Sequence, residues 1–176
     1  MIEVETKYRL SDKQKVTEKL KELGFIGKDP VHQVDKVFLV NSDSFKTFTP
    51  GDPVARIRSV NGVSSLTLKR AINKSGDTIE HEMTVDPASA AEGLLSEMGY
   101  KAVTDVEKVR IDYKRDEVTV AVDEVTKLGA FLEIEIICEE GEEENARSKV
   151  MAIANDLQLS ESDIVTKKYD QLISEL

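Results

Sequence analysis

Charged and apolar residues alternate at the start of this chain. Glu3, Glu5 and Lys7 occupy every second position, and the positions beside them include Val4 and Tyr8. Side chains of a β-strand point alternately to its two faces, so the charged groups share one face and the apolar groups share the other. One isolated strand of this kind is most simply a half-solvated strand with a polar outer face. The rest of the chain decides whether this face is a surface or a site.

The same alternation recurs in later segments, and each segment carries charges mostly of one sign. The recurring residues are Arg56 and Arg58, Lys69, Glu80 and Glu82, Lys108 and Arg110, Asp123, and Glu133 and Glu135. An open sheet with one wet face is expected to mix charges of both signs with small polar residues. We therefore predict an antiparallel sheet that is closed into a barrel, with its charged face turned inward. Because desolvation offsets the attraction between buried ions, such a charged lumen indicates function rather than stability.

The order of predicted elements is typical of an α+β domain, and we predict a single domain over residues 1–176. Eight strands are predicted, at residues 2–10, 32–40, 54–60, 63–71, 78–85, 103–114, 117–126 and 130–138. Asn61-Gly62 is a strong hairpin signal, and the segment Lys74–Asp77 is predicted to turn the chain into the next strand. A capping box that runs from Ser11 to Gln14 predicts the first helix. Further helices are predicted before Met98, near residues 145–157 and from about residue 160.

Composition restricts the classes of partner. The chain has 24 Lys and Arg against 34 Asp and Glu, a net charge of −10, which disfavours bulk electrostatic binding to nucleic acid or to an anionic membrane. Cys138 is the one cysteine, so neither an internal disulfide nor a cysteine metal cluster can form. The first residues show no signal-peptide pattern, and no apolar run reaches the length of about 18 residues that spans a membrane. We expect a cytoplasmic protein.

The residue types of the charged face indicate a chemistry. Carboxylates without nearby His or Cys ligands favour Mg²⁺ or Mn²⁺ over zinc, and clustered Arg and Lys suit a substrate with several phosphates. His32 and His81 lie far apart in the sequence, and no glycine-rich phosphate loop is present. Phosphoryl chemistry depends more on charge neutralisation and positioning than on a protein nucleophile. The sequence therefore predicts metal-assisted chemistry on a polyphosphate.

These motifs, in this order, resemble the CYTH superfamily of triphosphate tunnel metalloenzymes, and most closely its class IV adenylyl cyclase type. The resemblance covers nearly the whole chain. The matching positions are Glu3, Glu5 and Lys7, then Gln33, Asp35 and Phe38, then Arg56 and Arg58, Lys69, Glu80 and Glu82, then Lys108, Arg110 and Tyr113, and finally Asp123 and Leu128 to Glu135. The chain departs from the pattern at Thr78, where many relatives carry Arg, and at Val37, where an aromatic residue is usual.

The resemblance implies an eight-stranded antiparallel tunnel that binds a small-molecule triphosphate with Mg²⁺ or Mn²⁺. The implied metal ligands are Glu3, Glu5, Glu133, Glu135, Asp123 and Glu82. The implied phosphate contacts are Lys7, Arg56, Arg58, Lys69, Lys108 and Arg110. Lys69, Glu5 and Lys7 are the expected catalytic residues. The resemblance leaves the oligomeric state open, with a homodimer as one possibility because relatives of this type often form dimers.

The resemblance leaves two reactions open. One converts ATP to cyclic AMP and pyrophosphate, and the other hydrolyses inorganic triphosphate, thiamine triphosphate or a nucleoside triphosphate. A protein of another class, a noncatalytic domain that binds polyphosphate or nucleotide, is a third possibility. A structural domain with a charged sheet surface is the fourth.

Overall fold

A computed structural model of the protein describes residues 2–49, 51–71 and 78–176. Its strands are β1 (Ile2–Arg9), β2 (Ile26–Gly27), β3 (Val31–Val40), β4 (Val54–Val60), β5 (Val63–Ala71), β6 (Thr78–Val85), β7 (Tyr100–Arg115), β8 (Val118–Val125) and β9 (Gly129–Cys138). Its helices are α1 (Lys13–Glu22), α2 (Ala88–Glu97), α3 (Glu143–Asp156) and α4 (Tyr169–Ser174), with a short 3₁₀ turn at Glu161–Asp163. The predicted α+β class is confirmed, and the closed barrel stays a prediction.

All eight predicted strands are present, and the two-residue strand β2 is additional. The predicted turn at Lys74–Asp77 lies outside the described residues. No described helix combines the length and the apolar character needed to cross a membrane.

The chain forms two compact units. Unit 1 comprises Met1–Val31 and Val109–Lys167, and unit 2 comprises His32–Lys108 and Lys168–Leu176. Strand β7 contributes its first part to unit 2 and its second part to unit 1. The single domain over residues 1–176 stays a prediction.

Unit 1 is built on strands in the order β1, β9, β8 and β7, with β2 paired to β7. Strands β1 and β8 run antiparallel to β9 on its two sides. The apolar face of these strands packs against α1 and α3 in one cluster, in which Leu20, Leu132, Ile134 and Val150 are fully buried. Full burial of each such side chain stabilises the fold by about 1.5–3 kcal/mol. The apolar half of the alternation therefore fixes which face of each strand is left for the charged residues.

The start of α1 corrects the predicted capping box. The helix is capped by Asp12, whose carboxylate accepts a hydrogen bond of 3.0 Å from the backbone N–H of Lys15, so Ser11 is not the cap. The box predicted from Ser11 to Gln14 is wrong by one residue, because Asp is an equally good cap and the helix begins at Lys13. Beyond the helix, Gly24 adopts a φ of 81°, as the chain requires where it leaves the helix.

The chain after α3 also differs from its prediction. Instead of the helix expected from about residue 160, Ser160 caps a single 3₁₀ turn, and α4 begins only at Tyr169. Between them, Ile164 forms an antiparallel bridge with Tyr8, and the backbone N–H of Val165 donates to the carbonyl of Lys7 at 2.9 Å. Pairing with β1 satisfies backbone groups that a helix would otherwise satisfy internally.

Unit 2 is built on strands in the order β7, β3, β4, β5 and β6. The pairs β3 with β4, β4 with β5 and β5 with β6 are antiparallel. The predicted hairpin at Asn61-Gly62 is confirmed, since both residues have positive φ values, 49° and 80°, as a tight hairpin turn demands. Phe38 and Ile57 pack on one side of these strands against Leu95 of α2.

Candidate functional site

A pair of glutamates faces each other across β1 and β9 in unit 1. The strand register sets Glu5 directly opposite Glu135, and Thr119 of β8 lies opposite Glu135 on its other side. Like charges directly opposite each other in an antiparallel pair are destabilising. The pKa of the half-buried Glu135 is raised above its usual value, first by burial and then by the carboxylate of Glu5. Glu3 lies on the same face of β1, one alternation before Glu5.

Next to this pair, acidic and basic groups of unit 1 are closely associated. The ammonium of Lys7 lies 3.3 Å from Glu133, its direct neighbour in the register of β1 and β9. Arg110 of β7 donates from Nε and Nη2 to the two carboxylate oxygens of Asp123, at 2.7 and 2.6 Å, and Nη2 also contacts Glu133. Asp123 has no exposed surface. Its fully buried carboxylate therefore fixes the orientation of the Arg110 guanidinium.

The donor set of unit 1 fits a hard divalent cation. Its oxygen ligands are carboxylates, and a cation at Glu5 and Glu135 would offset both the burial and the repulsion by Glu5 that raise the pKa of Glu135. Within residues 2–49, 51–71 and 78–176, no three His, Cys, Asp or Glu side chains already converge on one point. Mg²⁺ is commonly held by one or two carboxylates, with water and substrate phosphates completing its shell. Two facing glutamates suffice for that type of site.

In unit 2, the paired arginines of β4 are held in different ways. Arg58 lies opposite Asp35 of β3 and donates from Nε and Nη2 to its two carboxylate oxygens, both at 2.6 Å. Arg56 lies 3.9 Å from the same carboxylate, and its pKa is lowered, first by burial and then by the positive charge of Arg58. An anion close to these guanidiniums would offset both effects.

The neighbouring strands of unit 2 carry further polar contacts on the same face. Lys69 of β5 is ion-paired with Glu80 of β6, its direct neighbour in the register. Thr67 of β5 contacts both Arg56 and Glu82. This face therefore combines cationic groups with the carboxylates that orient them.

Lys108 is the most enclosed of the predicted phosphate contacts. Its side chain is buried, with 4% of its surface exposed, and its ammonium lies 5.0 Å from the ring centre of Tyr169 in α4. A cation over the face of an aromatic ring is stabilised by the ring's electrons. The contact places an aromatic ring against a residue that the sequence assigned to substrate.

The structure distributes the predicted site residues over the two units. Unit 1 holds Glu3, Glu5, Lys7, Arg110, Asp123, Glu133 and Glu135, and unit 2 holds Arg56, Arg58, Lys69, Glu82 and Lys108. Their roles in binding and catalysis stay predictions.

Sequence reasoning gave no role in binding or catalysis to Asp35, Thr67, Glu80 and Tyr169, which contact residues of this set. Asp35 and Thr67 each stand at an alternate position of their strand, which is the signal that could have selected them. Tyr169 gave no comparable signal, since it lies in a terminal helix.

The fold and these polar sheet faces define an α+β protein that presents facing carboxylates in unit 1 and paired guanidiniums in unit 2. Residues 1–169 match the CYTH domain, and the chain belongs to this family. The resemblance inferred from the sequence is confirmed.

Three similar proteins extend this finding. A protein of Methanocaldococcus jannaschii named "Putative adenylate cyclase" is 33% identical over 175 residues, 98% of each chain. A solved structure from Pyrococcus horikoshii has a TM-score of 0.83 at 28% identity and covers 97% of this chain and 98% of that chain. A structure from Hippeastrum, described as a "putative adenylyl cyclase" with a dominant triphosphatase activity, has a TM-score of 0.69 at 19% identity, over 99% of this chain and 96% of its own. The last similarity shows the fold alone.

Proposed function

We propose that this protein is a divalent-metal-dependent enzyme that acts on a triphosphate-bearing substrate. The observation that carries the proposal is the facing pair of the exposed Glu5 and the half-buried Glu135, two carboxylates whose mutual repulsion a cation would relieve. Membership of the CYTH family and the paired Arg56 and Arg58 support phosphate as the partner of that cation. The closed eight-stranded tunnel inferred from the sequence belongs to this proposal.

In this proposal Glu5 and Glu135 hold Mg²⁺ or Mn²⁺, with Glu3, Glu133 and Asp123 as further candidates. The bound cation would supply charge neutralisation at the phosphate oxygens. Arg110 is oriented by Asp123, so it can present its guanidinium to an anion without first losing side-chain freedom. Lys7 contributes a point charge beside Glu133.

On unit 2, Arg56, Arg58 and Lys69 are the proposed phosphate contacts. Arg58 is held rigidly by Asp35, and Lys69 would exchange its ion pair with Glu80 for a phosphate oxygen. Lysine and arginine charges aimed at phosphate oxygens lower the barrier most when negative charge grows on those oxygens in the transition state. Lys69, together with Glu5 and Lys7, is therefore the proposed catalytic set.

The proposed reaction is conversion of ATP to cyclic AMP. The 3′-hydroxyl oxygen attacks the α-phosphorus, the bond to the pyrophosphate oxygen breaks, and the hydroxyl proton passes to solvent. The name of the 33% identical relative from M. jannaschii supports this choice. Hydrolysis of a terminal phosphate is the alternative, because water attacking the terminal phosphorus needs the same charge clamp.

Product analysis tests the proposal. Purified protein is incubated with Mg²⁺ or Mn²⁺ and with ATP, inorganic triphosphate or thiamine triphosphate, and the products are separated by ion-exchange chromatography. Cyclic AMP with pyrophosphate identifies a cyclase, and orthophosphate identifies a triphosphatase. Binding without turnover identifies a noncatalytic polyphosphate-binding domain instead.

A matched pair of variants gives the control. Glu5→Gln removes one of the facing carboxylates and is expected to abolish metal-dependent turnover. Glu18→Gln makes the same change on the exposed surface of α1 and is expected to leave turnover unchanged. Equal activity of the two variants would remove Glu5 from the proposed site.

A further inference from the structure

One row of side chains crosses three strands of unit 2. Arg56 of β4 lies directly opposite Thr67 of β5, and Thr67 lies directly opposite Glu82 of β6. The hydroxyl oxygen of Thr67 accepts a hydrogen bond of 3.3 Å from Nη2 of Arg56, and the hydroxyl donates at 2.8 Å to Oε2 of Glu82. Thr67 has no exposed surface. A fully buried hydroxyl with both a donor and an acceptor partner is fixed in its orientation.

The chemistry of the two partners decides the direction of these bonds. A guanidinium only donates hydrogen bonds and an ionised carboxylate only accepts them. The Thr67 hydroxyl must therefore accept a hydrogen bond from Arg56 and donate one to Glu82. Only a residue with both capacities fits between them. Valine has nearly the same shape as threonine and neither capacity, whereas serine keeps both.

Arg56 is otherwise weakly held. Across the described part of the chain, its one side-chain hydrogen bond is to Thr67, and its Nε atom is buried without a partner. Its distance to the carboxylate of Asp35 is 3.9 Å, whereas Arg58 makes two bonds of 2.6 Å to that carboxylate. The orientation of the Arg56 guanidinium therefore depends on Thr67, while that of Arg58 depends on Asp35.

Building on the proposed function, we infer that Thr67 is a positioning residue for triphosphate binding. It holds the guanidinium of Arg56 in the orientation that meets a phosphate group, and Glu82 orients the Thr67 hydroxyl. Glu82 then acts through Thr67 as the counter-charge of Arg56, a role different from the metal ligation that the family resemblance implies for it.

Steady-state kinetics with the substrate found by product analysis test this inference. Thr67→Val is expected to raise KM about tenfold, the order expected from loss of a hydrogen bond to a charged group, with kcat changed by less than about threefold. Thr67→Ser is expected to restore KM to within about twofold of the wild type. Thr84→Val, the same chemical change at an exposed position of β6, is the control and is expected to leave KM unchanged.

A double-mutant cycle separates positioning from a general effect on the fold. If Thr67 acts through Arg56, Thr67→Val has no further effect on KM in an Arg56→Ala background. Binding of inorganic triphosphate to the metal-free protein, measured by calorimetry, repeats the cycle without catalysis. Thermal unfolding identifies any variant that has lost its fold. If Thr67→Val is one of these, Thr67→Ser, which keeps the hydroxyl, still allows a comparison with the wild type.

Glu82→Gln distinguishes the two roles of Glu82. The amide oxygen still accepts from Thr67, so positioning predicts a small rise in KM and an unchanged Mn²⁺ concentration for half-maximal rate. A large rise in that Mn²⁺ concentration with KM unchanged would overturn the inference. A Thr67→Val protein with the same KM as an active wild type would overturn it as well. A wild type that neither binds nor turns over any triphosphate would overturn the proposed function together with this inference.

Discussion

Replacing Glu135 with Gln should stabilise the metal-free protein at neutral pH. The raised pKa of Glu135 means that folding favours its protonated form, because burial and the facing Glu5 disfavour the charge. The contribution of the protonated Glu135 side chain to the stability of the fold is therefore complete below the ordinary glutamate pKa of 4.5. This contribution is lost as pH rises through the higher pKa of the folded state. Glutamine resembles the protonated form at every pH, so Glu135→Gln escapes this loss.

The size of the effect follows from the strand register. Glu5 and Glu135 are directly opposite, and a like-charged cross-strand pair of this kind destabilises the fold by about 0.2–1 kcal/mol. A change of 1 kcal/mol shifts the Tm of a chain of this length by about 2–4 °C. Since Glu135 is only half buried, solvent screens part of the repulsion, and we expect a rise of about 1–3 °C at pH 7.

Scanning calorimetry of chelator-treated protein provides the measurement. Because the whole chain is acidic, with a net charge of −10, removal of any carboxylate reduces general repulsion. Glu140→Gln, an exposed position after β9, is therefore the control. The advantage of Glu135→Gln over this control should shrink as pH falls through the raised pKa of Glu135 and should be lost below 4.5, and saturating Mg²⁺ should stabilise the wild type more than Glu135→Gln. Equal Tm values for the two variants at pH 7 would refute the reasoning.

Three further outcomes are expected. Asp123→Asn leaves the Arg110 guanidinium without its buried counter-charge and should lower the free energy of unfolding by about 3 kcal/mol in urea titrations, whereas exposed Glu124→Gln should change it by less than about 1 kcal/mol. Lys69→Met should lower kcat by about 10²-fold at saturating substrate, and an unchanged kcat would remove Lys69 from the catalytic set. Chelation of divalent metal should abolish turnover, and adding back Mg²⁺ or Mn²⁺ should restore it; activity that survives chelation would contradict metal dependence.

The strands of this protein could be predicted from the sequence because their signal is local. Alternation in β1 and β9 and the Asn61-Gly62 turn identify each element from a few adjacent residues, and the structure contains all eight predicted strands. The cap of α1 was missed by one residue because Ser11 and Asp12 are nearly equal caps, so local sequence does not separate them.

Contacts between strands could not be predicted in the same way. The partner of Arg56 depends on the register of β4 against β5, which sets Thr67 rather than Lys69 opposite it. A shift of that register by two residues would preserve every alternation and exchange the partners. The helix predicted after α3 is replaced in the structure by a bridge between Ile164 and Tyr8. Local sequence does not reveal this bridge, because it joins residues far apart in the chain.

The large sequence separation between β1 and its pairing partners affects the order in which the molecule can assemble. Strand β1 pairs with β9, and Lys7 is also bonded through its backbone to Val165 and through its ammonium to the carbonyl of Lys167 at 3.4 Å. During synthesis, β1 therefore has no pairing partner until β9 and the segment at Val165 have been made. Contacts of such long range slow folding, and a waiting strand exposes unpaired backbone groups to other chains. Glu3, Glu5 and Lys7 on its polar face add charge that disfavours such association while β1 remains unpaired.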